Sequence, residues 1–367
     1  MTVISPTSIE SLTRDTDVLR ETPASSDAER PLVTVTFVAW MRRELLIKGI
    51  ESVLALAYRP VEILVVDNSP TDEIFQWLVE AYPTVKCVKT FAPLPLPMVR
   101  NLMVASARGK YVVFHDDDSR FAETAGLTGA VEYLETNPQV ACLAFRQLDE
   151  RGRANPQFDG TEICPAYTFI ACAVMFRRTD YLQAGGYYEK YYLYGEELPL
   201  SLGFFGLGKE IHYYPHVPVI HEQVMHGRKN DPGAVYHVAQ IVMHPGAFLL
   251  RVPLPDVLAW YPLLLVADVL KVLARRRPLV AARGALAALW WFPRFLSERR
   301  SISRPDFARW MKTRREYQRG TLRRIREARA GGPVAMPAES SALPVTTASE
   351  ELAPARLDSL SLPPAAR

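Results

Sequence analysis

The chain has 367 residues, of which 49% are hydrophobic and 23% are charged, and its formal net charge is +3. This composition excludes a fibrous or wholly disordered chain and is typical of one large globular domain with an appendage. The four cysteines show no CxxC pair or zinc-ribbon spacing, and no signal peptide is recognised, which indicates reduced thiols in a cytosolic protein.

Composition divides the chain into four expected regions. Residues 1–30 are rich in Ser, Thr, Asp and Glu and predict a disordered leader, while the Ala, Pro and Ser-rich residues 330–367 predict a disordered tail. Residues 31–230 alternate strand and helix patterns and are expected to form the main domain. Residues 231–329 are apolar and basic and are expected to form a helical region.

Strand and helix patterns alternate from Pro31 onward. Continuous apolar runs of the kind buried in parallel sheets are separated by segments with apolar residues at helical spacing. The predicted elements are, in order, strand Leu32–Ala39, helix Glu44–Ala57, strand Val61–Val66, helix Asp72–Tyr82, strand Val85–Thr90 and helix Val99–Ala107.

The next strand, Tyr111–Phe114, leads into three consecutive carboxylates, Asp116–Asp118. These acids repel one another, and no basic residue lies within the triplet. An oxygen-ligated divalent cation such as Mg²⁺ or Mn²⁺ would hold them and could also carry a phosphate oxygen. An ordinary turn is the alternative, because Asp and Ser favour turns.

The alternation predicts an α/β fold, a doubly wound and mostly parallel sheet with its ligand at the carboxyl ends of the strands. Asp67 and the acid triplet both lie at that edge. No GxGxxG or GxxxxGK[ST] sequence is present, so neither a dinucleotide oxidoreductase nor a P-loop NTPase is favoured. A nucleotide would have to be held through its base, its ribose and a metal, which indicates a sugar nucleotide.

Four motifs resemble, in order and spacing, those of the inverting family 2 glycosyltransferases with the GT-A fold, over about residues 31 to 225. Within that family they are most similar to the bacterial rhamnosyl- and galactofuranosyl-transferase-like group. The resemblance implies transfer of a sugar from a nucleoside diphosphate sugar to a hydroxyl of a glycan or glycolipid. The motifs are Val65–Asp72, Arg100-Asn101, Phe114–Asp118, and Gly185–Glu189 followed by Tyr194–Glu197.

The resemblance assigns a nucleotide-binding set. Asp67 would accept a hydrogen bond from the base, and Ala39 and Trp40 stand where the family usually has Thr and Tyr beside it. Asp72 and Arg100 match positions near the nucleotide, and an arginine facing a diphosphate is physically reasonable. A surface arginine on a helix is the alternative for Arg100.

The resemblance also assigns a metal site. Asp116 and Asp118 match the two acids of the DxD motif, with Asp118 binding the Mg²⁺ or Mn²⁺ ion and Asp116 facing the ribose or the metal. Asp117 is the variable middle residue and is included in the nucleotide-binding set. His221 matches a histidine that completes the metal shell in some relatives.

Sugar transfer also needs a base that takes the proton of the acceptor hydroxyl. The family has Glu-Asp where this chain has Glu196-Glu197, so Glu197 is the predicted base and Glu196 its substitute. Two acids in the first turn of a helix, favoured there by the helix dipole, are the structural alternative. The arginine that usually follows is absent, because no basic residue occurs before Lys209.

The region after residue 231 carries apolar segments (Leu249–Leu273 and Pro278–Leu296) and a basic excess, with 18 Lys or Arg against four acids between Lys271 and Arg329. This pattern predicts helices that lie on an anionic membrane surface, at the inner face of the cell membrane. Its uncharged runs are expected to be too short to cross a bilayer. Packing on the catalytic domain or on a second copy is the alternative, and no nucleic-acid partner is expected because no recognised binding motif is present.

Two other functions stay open on the sequence alone. A sugar-nucleotide pyrophosphorylase shares the sheet but needs a glycine-rich loop that is absent between Ala39 and Glu44. A membrane-bound scaffold with a decayed site would explain the departures at Ala39 and Glu197, whereas the intact acids argue against it.

Overall fold

A computed structural model of the chain describes residues 13–15, 30–191, 195–222 and 233–330. The strands predicted to begin at Leu32, Val61 and Val85 begin within one residue of those positions. The observed strands are β1 (Thr13–Asp15), β2 (Val33–Ala39), β3 (Val61–Asp67), β4 (Lys86–Thr90), β5 (Tyr111–Asp116), β6 (Ser119–Phe121), β7 (Val140–Leu148), β8 (Cys164–Ala166), β9 (Val174–Arg177) and β10 (Glu210–His221).

The helices follow the same alternation up to β5 and then accumulate at the C-terminal end. The three helices predicted before the acid triplet are all present, with ends that differ by at most three residues. The observed helices are α1 (Arg43–Leu54), α2 (Glu73–Ala81), α3 (Leu96–Ser106), α4 (Gly126–Thr136), α5 (Arg178–Ala184), α6 (Glu197–Gly206), α7 (Gly233–Arg251), α8 (Leu254–Ala274), α9 (Pro278–Ser297) and α10 (Arg304–Ala330).

The parallel strands lie in the order β4-β3-β2-β5. The chain adds β3 and β4 on one side of β2 and then returns to place β5 on the other side. The strand order therefore reverses between β2 and β5, and the crevice outside their carboxyl ends is where doubly wound sheets bind ligands. Ala39 and Asp116, the last residues of β2 and β5, lie at this crevice.

The remaining strands extend the sheet beyond β5. Strand β9 pairs antiparallel with β5 and β7, and β10 runs parallel to β7 and antiparallel to β6 and β8. The predicted class, an α/β doubly wound and mostly parallel sheet with a C-terminal helical region, is confirmed.

Each face of the sheet is covered by helices, because alternate residues of a buried strand point to opposite faces. Val38 and Val66 face α3 and the C-terminal helices, where they join a cluster that includes Leu102 of α3. Phe37 and Val65 face the other way and join a cluster with residues of α1, α2 and α4. The crevice at the carboxyl ends of β2 and β5 therefore belongs to a sheet that is covered by helices on both faces.

Strand β1 lies in the leader that was predicted to be disordered. It pairs antiparallel with β4 over Val88–Thr90 and covers an edge of the sheet. The prediction of a disordered leader over residues 1–30 stays a prediction. The rest of the leader and the tail after residue 330 lie outside the described residues.

The C-terminal helices belong to the same core as the sheet. Ile241 and Phe248 of α7 are buried in the cluster that includes β5 and α3. Helices α7 and α9 approach closely, since a Cβ added to Gly284 of α9 would lie 2.6 Å from Ile241. The described residues up to Arg326 fall within a single compact unit.

Candidate active site

The acid triplet lies in the crevice between β2 and β5, and its middle residue is the most enclosed. Asp117 accepts a hydrogen bond from the backbone N–H of Trp40 at 2.8 Å and pairs with the guanidinium of Arg42. Burial raises the pKa of Asp117 to about 7, although Arg42 opposes this. Both carboxylate oxygens are engaged, so Asp117 organises the loop after β2. Its predicted contact with a nucleotide stays a prediction.

The third acid of the triplet, Asp118, lies between the guanidinium of Arg42 and the imidazole ring of His221. Arg42 pairs with Asp118 Oδ2, and the Nε2 atom of His221 lies 3.1 Å from Oδ1. Burial works to raise the pKa of Asp118, but His221 and Arg42 outweigh it and hold the pKa below its ordinary value. Asp118 is therefore ionised, as a metal ligand must be.

The first acid of the triplet connects to the predicted catalytic pair through Arg100. The guanidinium donates to Asp116 Oδ1 at 3.1 Å, and its Nη1 atom lies 3.9 Å from Glu196 Oε1. Arg100 is only 4% exposed, which excludes the alternative of a surface arginine. Burial opposes its charge, but the neighbouring acids raise the pKa of Arg100 above its ordinary value, so it stays cationic.

The acids Glu196 and Glu197 lie at the start of α6, and neither side chain caps the helix. Burial, with the nearby charge of Glu196, raises the pKa of Glu197 to about 8, and Arg100 opposes this. A helix dipole alone would lower the pKa of an acid at this position. The structural alternative of two solvated acids is thus wrong for Glu196, which is 4% exposed, and Glu197 is half-buried.

Asn101 holds the Gly185-Gly186 turn against α3. Its Oδ1 accepts from Tyr181 and from the N–H of Tyr187, and its Nδ2 donates to the carbonyl of Tyr187 and to Glu189. A Cβ on Gly186 would lie 2.5 Å from that Oδ1, and the φ of +64° also favours glycine. The Arg-Asn and Gly-Gly motifs are therefore in direct contact, and Tyr194 of the last motif lies outside the described residues.

The residue predicted to bind the base, Asp67, is fully buried at the end of β3. Its Oδ1 accepts from the N–H of Ser69 at 2.9 Å, and Lys89 Nζ lies 3.7 Å from Oδ2. Ala39 pairs beside it on β2 and packs in the core, while Trp40 is 44% exposed and presents its ring to solvent. Asp72 is half-buried at the N-terminal boundary of α2. The binding roles of these four residues stay predictions.

The structure adds two residues that the sequence did not single out. Arg42 bridges Asp117 and Asp118, and its position three residues after the end of a strand was a usable signal. Cys172 lies in a group with Asp116 and His221, and one potential ligand atom from each falls within 4.8 Å of the others. No spacing pattern in the sequence connects that cysteine to the crevice.

Comparison with known proteins agrees with this arrangement. Residues 33–184 match the family described as Glycosyl transferase family 2. Those residues form a family 2 glycosyltransferase domain. The GT-A type fold expected from the motifs is confirmed, and the matched residues include the acid triplet and Arg100 but end before the acid pair at Glu196.

Individual relatives of the family 2 domain are distant. Over 106 residues the chain is 24% identical to the Escherichia coli enzyme UDP-Glc:alpha-D-GlcNAc-diphosphoundecaprenol beta-1,3-glucosyltransferase WfaP, covering 29% of this chain and 42% of that enzyme. The chain thus spans less than half the length of this curated relative.

Two solved structures are similar to this chain, and their sequence identities and TM-scores to it are close to each other. The mannosyltransferase PcManGT from Pyrobaculum calidifontis, in complex with GDP-Man and Mn²⁺, is 16% identical with a TM-score of 0.49, over 80% of this chain and 86% of that one. GalNAc-T7 with UDP, GalNAc and Mn²⁺ is 15% identical with a TM-score of 0.48, over 61% and 51%.

The raised pKa of Glu197 predicts a pH-dependent cost to stability. The unfolded chain loses this proton near pH 4.5, whereas the folded chain keeps it to about pH 8. Ionisation therefore destabilises the fold as the pH rises through this window. Glu197→Gln cannot ionise, so its stability relative to wild type should grow from near zero at pH 4.5 to about 1–3 kcal/mol at pH 8 in denaturant titrations.

Glu73→Gln is the matched control, because Glu73 occupies the same first position of α2 but is exposed. Its stability difference should not grow with pH. A difference between wild type and Glu197→Gln that stays constant from pH 4.5 to 8 would show that this carboxyl is solvated and not held in the crevice.

Proposed function

We propose that the chain is a metal-dependent, inverting glycosyltransferase that moves a sugar from a nucleoside diphosphate sugar to a hydroxyl of a glycan or lipid-linked acceptor. The observation that carries this proposal is a ring of unsatisfied polar atoms. A buried polar atom without a partner costs free energy unless a ligand supplies one. Among the described residues, such atoms around the crevice include Arg42 Nε, Asp67 Oδ2, Arg100 Nη1, Asp118 Oδ1 and Glu196 Oε2.

The donor would lie across the ends of β3, β2 and β5. Asp67 Oδ2 is available to accept from the base, and the ring of Trp40 offers a face to stack on it. Arg42 and Arg100 are the cations nearest to the acid triplet and are suited to a diphosphate.

The residues also fit a divalent cation. Asp116 keeps part of its surface exposed, Asp118 offers the unsatisfied Oδ1, and His221 lies beside it. These residues would hold a Mg²⁺ or Mn²⁺ ion, which would offset the negative charge of the leaving diphosphate.

The acceptor hydroxyl must lose its proton as it attacks the anomeric carbon from the face opposite the diphosphate. Glu197 is suited to take that proton, because its raised pKa lies close to the working pH of a general base. Glu196 faces Arg100 and would act as the partner that orients the cation. Displacement from the opposite face inverts the anomeric configuration.

The rival functions lack this support. A pyrophosphorylase needs glycines where the loop after β2 carries Trp40, Met41 and Arg42. A decayed scaffold has no reason to keep charged groups buried and unsatisfied in one crevice, because such groups destabilise a fold that gains no function from them.

Asp118→Asn is expected to weaken metal-dependent nucleotide binding by at least about tenfold, because the variant lacks the charge that holds the ion. Wild type should bind at least one of UDP, GDP, CDP and dTDP in the presence of Mn²⁺ in calorimetric titrations, and chelator should abolish this binding. Asp159→Asn is the control, since Asp159 lies on the surface. Equal binding by wild type and Asp118→Asn, with or without chelator, would remove Asp118 from the site.

We also propose that α8 and α9 hold the protein at the inner face of the cell membrane. Their outward faces expose large apolar side chains, among them Leu258 (71%), Leu279 (84%) and Trp290 (77%). Exposed Lys or Arg residues accompany them on the same helices and the turn between them, namely Lys271, Arg275, Arg276, Arg283 and Arg294. Apolar contact with added basic charge matches an anionic lipid surface.

By length and composition, one helix among the described residues could cross a membrane, namely α8. The expectation that every apolar segment is too short is therefore wrong for α8. One face of this helix nevertheless packs against the rest of the protein. Asp268 is 1% exposed and pairs with His244 of α7 at 2.7 Å. A helix fixed in this way is suited to lie on the membrane with its other face in the lipid.

A surface position would place the site within reach of a lipid-linked acceptor. The Escherichia coli relative WfaP is named for such an acceptor, a diphosphoundecaprenol-linked sugar. We propose the same class of acceptor here. A second copy of this chain covering the apolar faces of α8 and α9 is the alternative.

Vesicle flotation tests the membrane proposal. Wild type should float with vesicles containing phosphatidylglycerol more than with neutral vesicles, and less as salt rises, since each near-surface Lys or Arg contributes about 1 kcal/mol. The variant Leu258→Glu/Leu286→Glu/Trp290→Glu should stay unbound. The control Leu54→Glu/Val79→Glu/Phe91→Glu, which changes exposed apolar residues elsewhere, should float as wild type does.

Equal flotation with neutral and anionic vesicles, or flotation of the α8–α9 variant, would contradict the proposal. Release by detergent but not by salt would indicate that α8 is inserted. A concentration-dependent dimer without flotation would favour the second copy.

A further inference from the structure

We propose that Asp116, Cys172 and His221 form a binding site for a thiophilic divalent cation such as Zn²⁺, which overlaps the position of the Mg²⁺ or Mn²⁺ ion and blocks it. The inhibitory consequence rests on the proposed function, whereas the binding site itself does not.

The three side chains offer ligand atoms that one ion can reach. One atom from each lies within 4.8 Å of the others, and Cys172 Sγ is 3.6 Å from His221 Nδ1. Arg100 engages Asp116 Oδ1, which leaves Oδ2 for an ion. Cys172 is buried, but Asp116 and His221 retain exposed surface, so an ion can enter from their side.

A chain of hydrogen bonds fixes which nitrogen of His221 is unprotonated. Asn155 Oδ1 accepts from the N–H of Gln157, so Asn155 Nδ2 must donate to Gln147 Oε1 at 2.8 Å. The amide of Gln147 is thereby oriented with its Nε2 toward His221 Nδ1, also at 2.8 Å. This donor requires an unprotonated Nδ1, and the ring proton belongs on Nε2.

A proton on Nδ1 would set two donors, Nδ1–H and the Gln147 amide, against each other. We therefore assign the neutral ring with its proton on Nε2.

That arrangement matches the surroundings of a protein-bound zinc ion. A ligating histidine commonly turns its second nitrogen toward a carboxylate, and here Nε2 lies 3.1 Å from Asp118 Oδ1. The amide of Gln147 also donates to Cys172 Sγ at 3.3 Å, as a group that supports a thiolate does. With the ion on Nδ1, Gln147 keeps its bond to the sulfur.

A buried cysteine is ordinarily a small apolar core residue. Cys142 is such a case, since it is fully buried in an apolar cluster, and burial raises the pKa of its thiol well above the ordinary value. Cys172 differs because its sulfur lies beside a ring nitrogen and accepts from an amide. A packing role alone does not account for those polar neighbours.

The chemistry of the ligands selects the ion. Thiolate and imidazole favour Zn²⁺ and Co²⁺, while Mg²⁺ prefers oxygen ligands. Binding forms one metal–sulfur, one metal–nitrogen and one metal–oxygen bond and releases the thiol proton of Cys172 to solvent. Asp116 cannot then serve the Mg²⁺ or Mn²⁺ ion, so Zn²⁺ should inhibit turnover in competition with Mn²⁺.

Cobalt titration of the full chain tests the site without reference to turnover. Co²⁺ bound to a thiolate gives a near-ultraviolet charge-transfer absorption, and we expect it to saturate at one equivalent in wild type. Cys172→Ser should lose this absorption, and Cys164→Ser, which changes a thiol outside the crevice, should keep it. With Zn²⁺ bound to wild type, X-ray absorption should show one sulfur at about 2.3 Å.

In the presence of Mn²⁺, the Zn²⁺ concentration that inhibits turnover should rise at least about tenfold in Cys172→Ser. Absence of the absorption in wild type, its retention in Cys172→Ser, or a zinc shell without sulfur would overturn the proposal. The zinc spectrum of wild type decides the matter if Cys172→Ser does not fold. A cobalt spectrum as expected in a protein without turnover would leave this site standing and contradict only the proposed function.

Discussion

Neutralisation of three adjacent carboxylates is the constraint on which the rest of the structure depends. Asp116, Asp117 and Asp118 occupy the crevice where the strand order reverses, and like charges at this spacing cannot be buried without partners. Each partner comes from a different part of the chain: Arg42 from the loop after β2, Arg100 from α3 and His221 from the end of β10. The same contacts that hold the charge therefore fix the loop, the helix and the strand around the crevice.

The charge balance also explains why the site is poised for a ligand. Arg42 lies across Asp117 and Asp118, and Arg100 lies between Asp116 and Glu196. Several charged atoms remain without hydrogen bonds, because the cations are shared between acids and cannot satisfy every oxygen. A metal ion would add a positive group to this network, and a diphosphate would add a negative one. The free-energy cost of these unsatisfied atoms in the free site therefore favours binding of a metal and a diphosphate.

The sequence predicts the parts of the fold that are set locally. The apolar runs of β2 and β3 are nearly continuous, and β3 ends at Asp67, so the positions of both strands and the functional edge could be predicted from the sequence pattern. The partners of the acid triplet could not, because Arg42 is 75 residues from Asp117 along the chain. From the sequence alone, a metal would have to neutralise all three acids, whereas in the structure protein cations supply part of that charge.

Other features depended on tertiary contacts with no sequence pattern. Cys172 reaches His221 only because β10 crosses beside the turn before β9, and strand β1 forms only because the edge of β4 is free to pair. At the C-terminal end the basic and apolar composition predicted helices, but it did not show that Asp268 faces α7. That contact decides which face of α8 is left for a membrane.

The most direct test of the account is turnover of a panel of nucleoside diphosphate sugars in the presence of Mn²⁺, with the anomeric configuration of the product followed by NMR. We expect one donor to be consumed with inversion. Glu197→Gln should reduce the rate by at least about 10²-fold while donor affinity changes little, and Glu196→Gln should reduce it less. Retention of configuration, or a Glu197→Gln variant as active as wild type, would contradict the assignment of the crevice as an inverting transferase site.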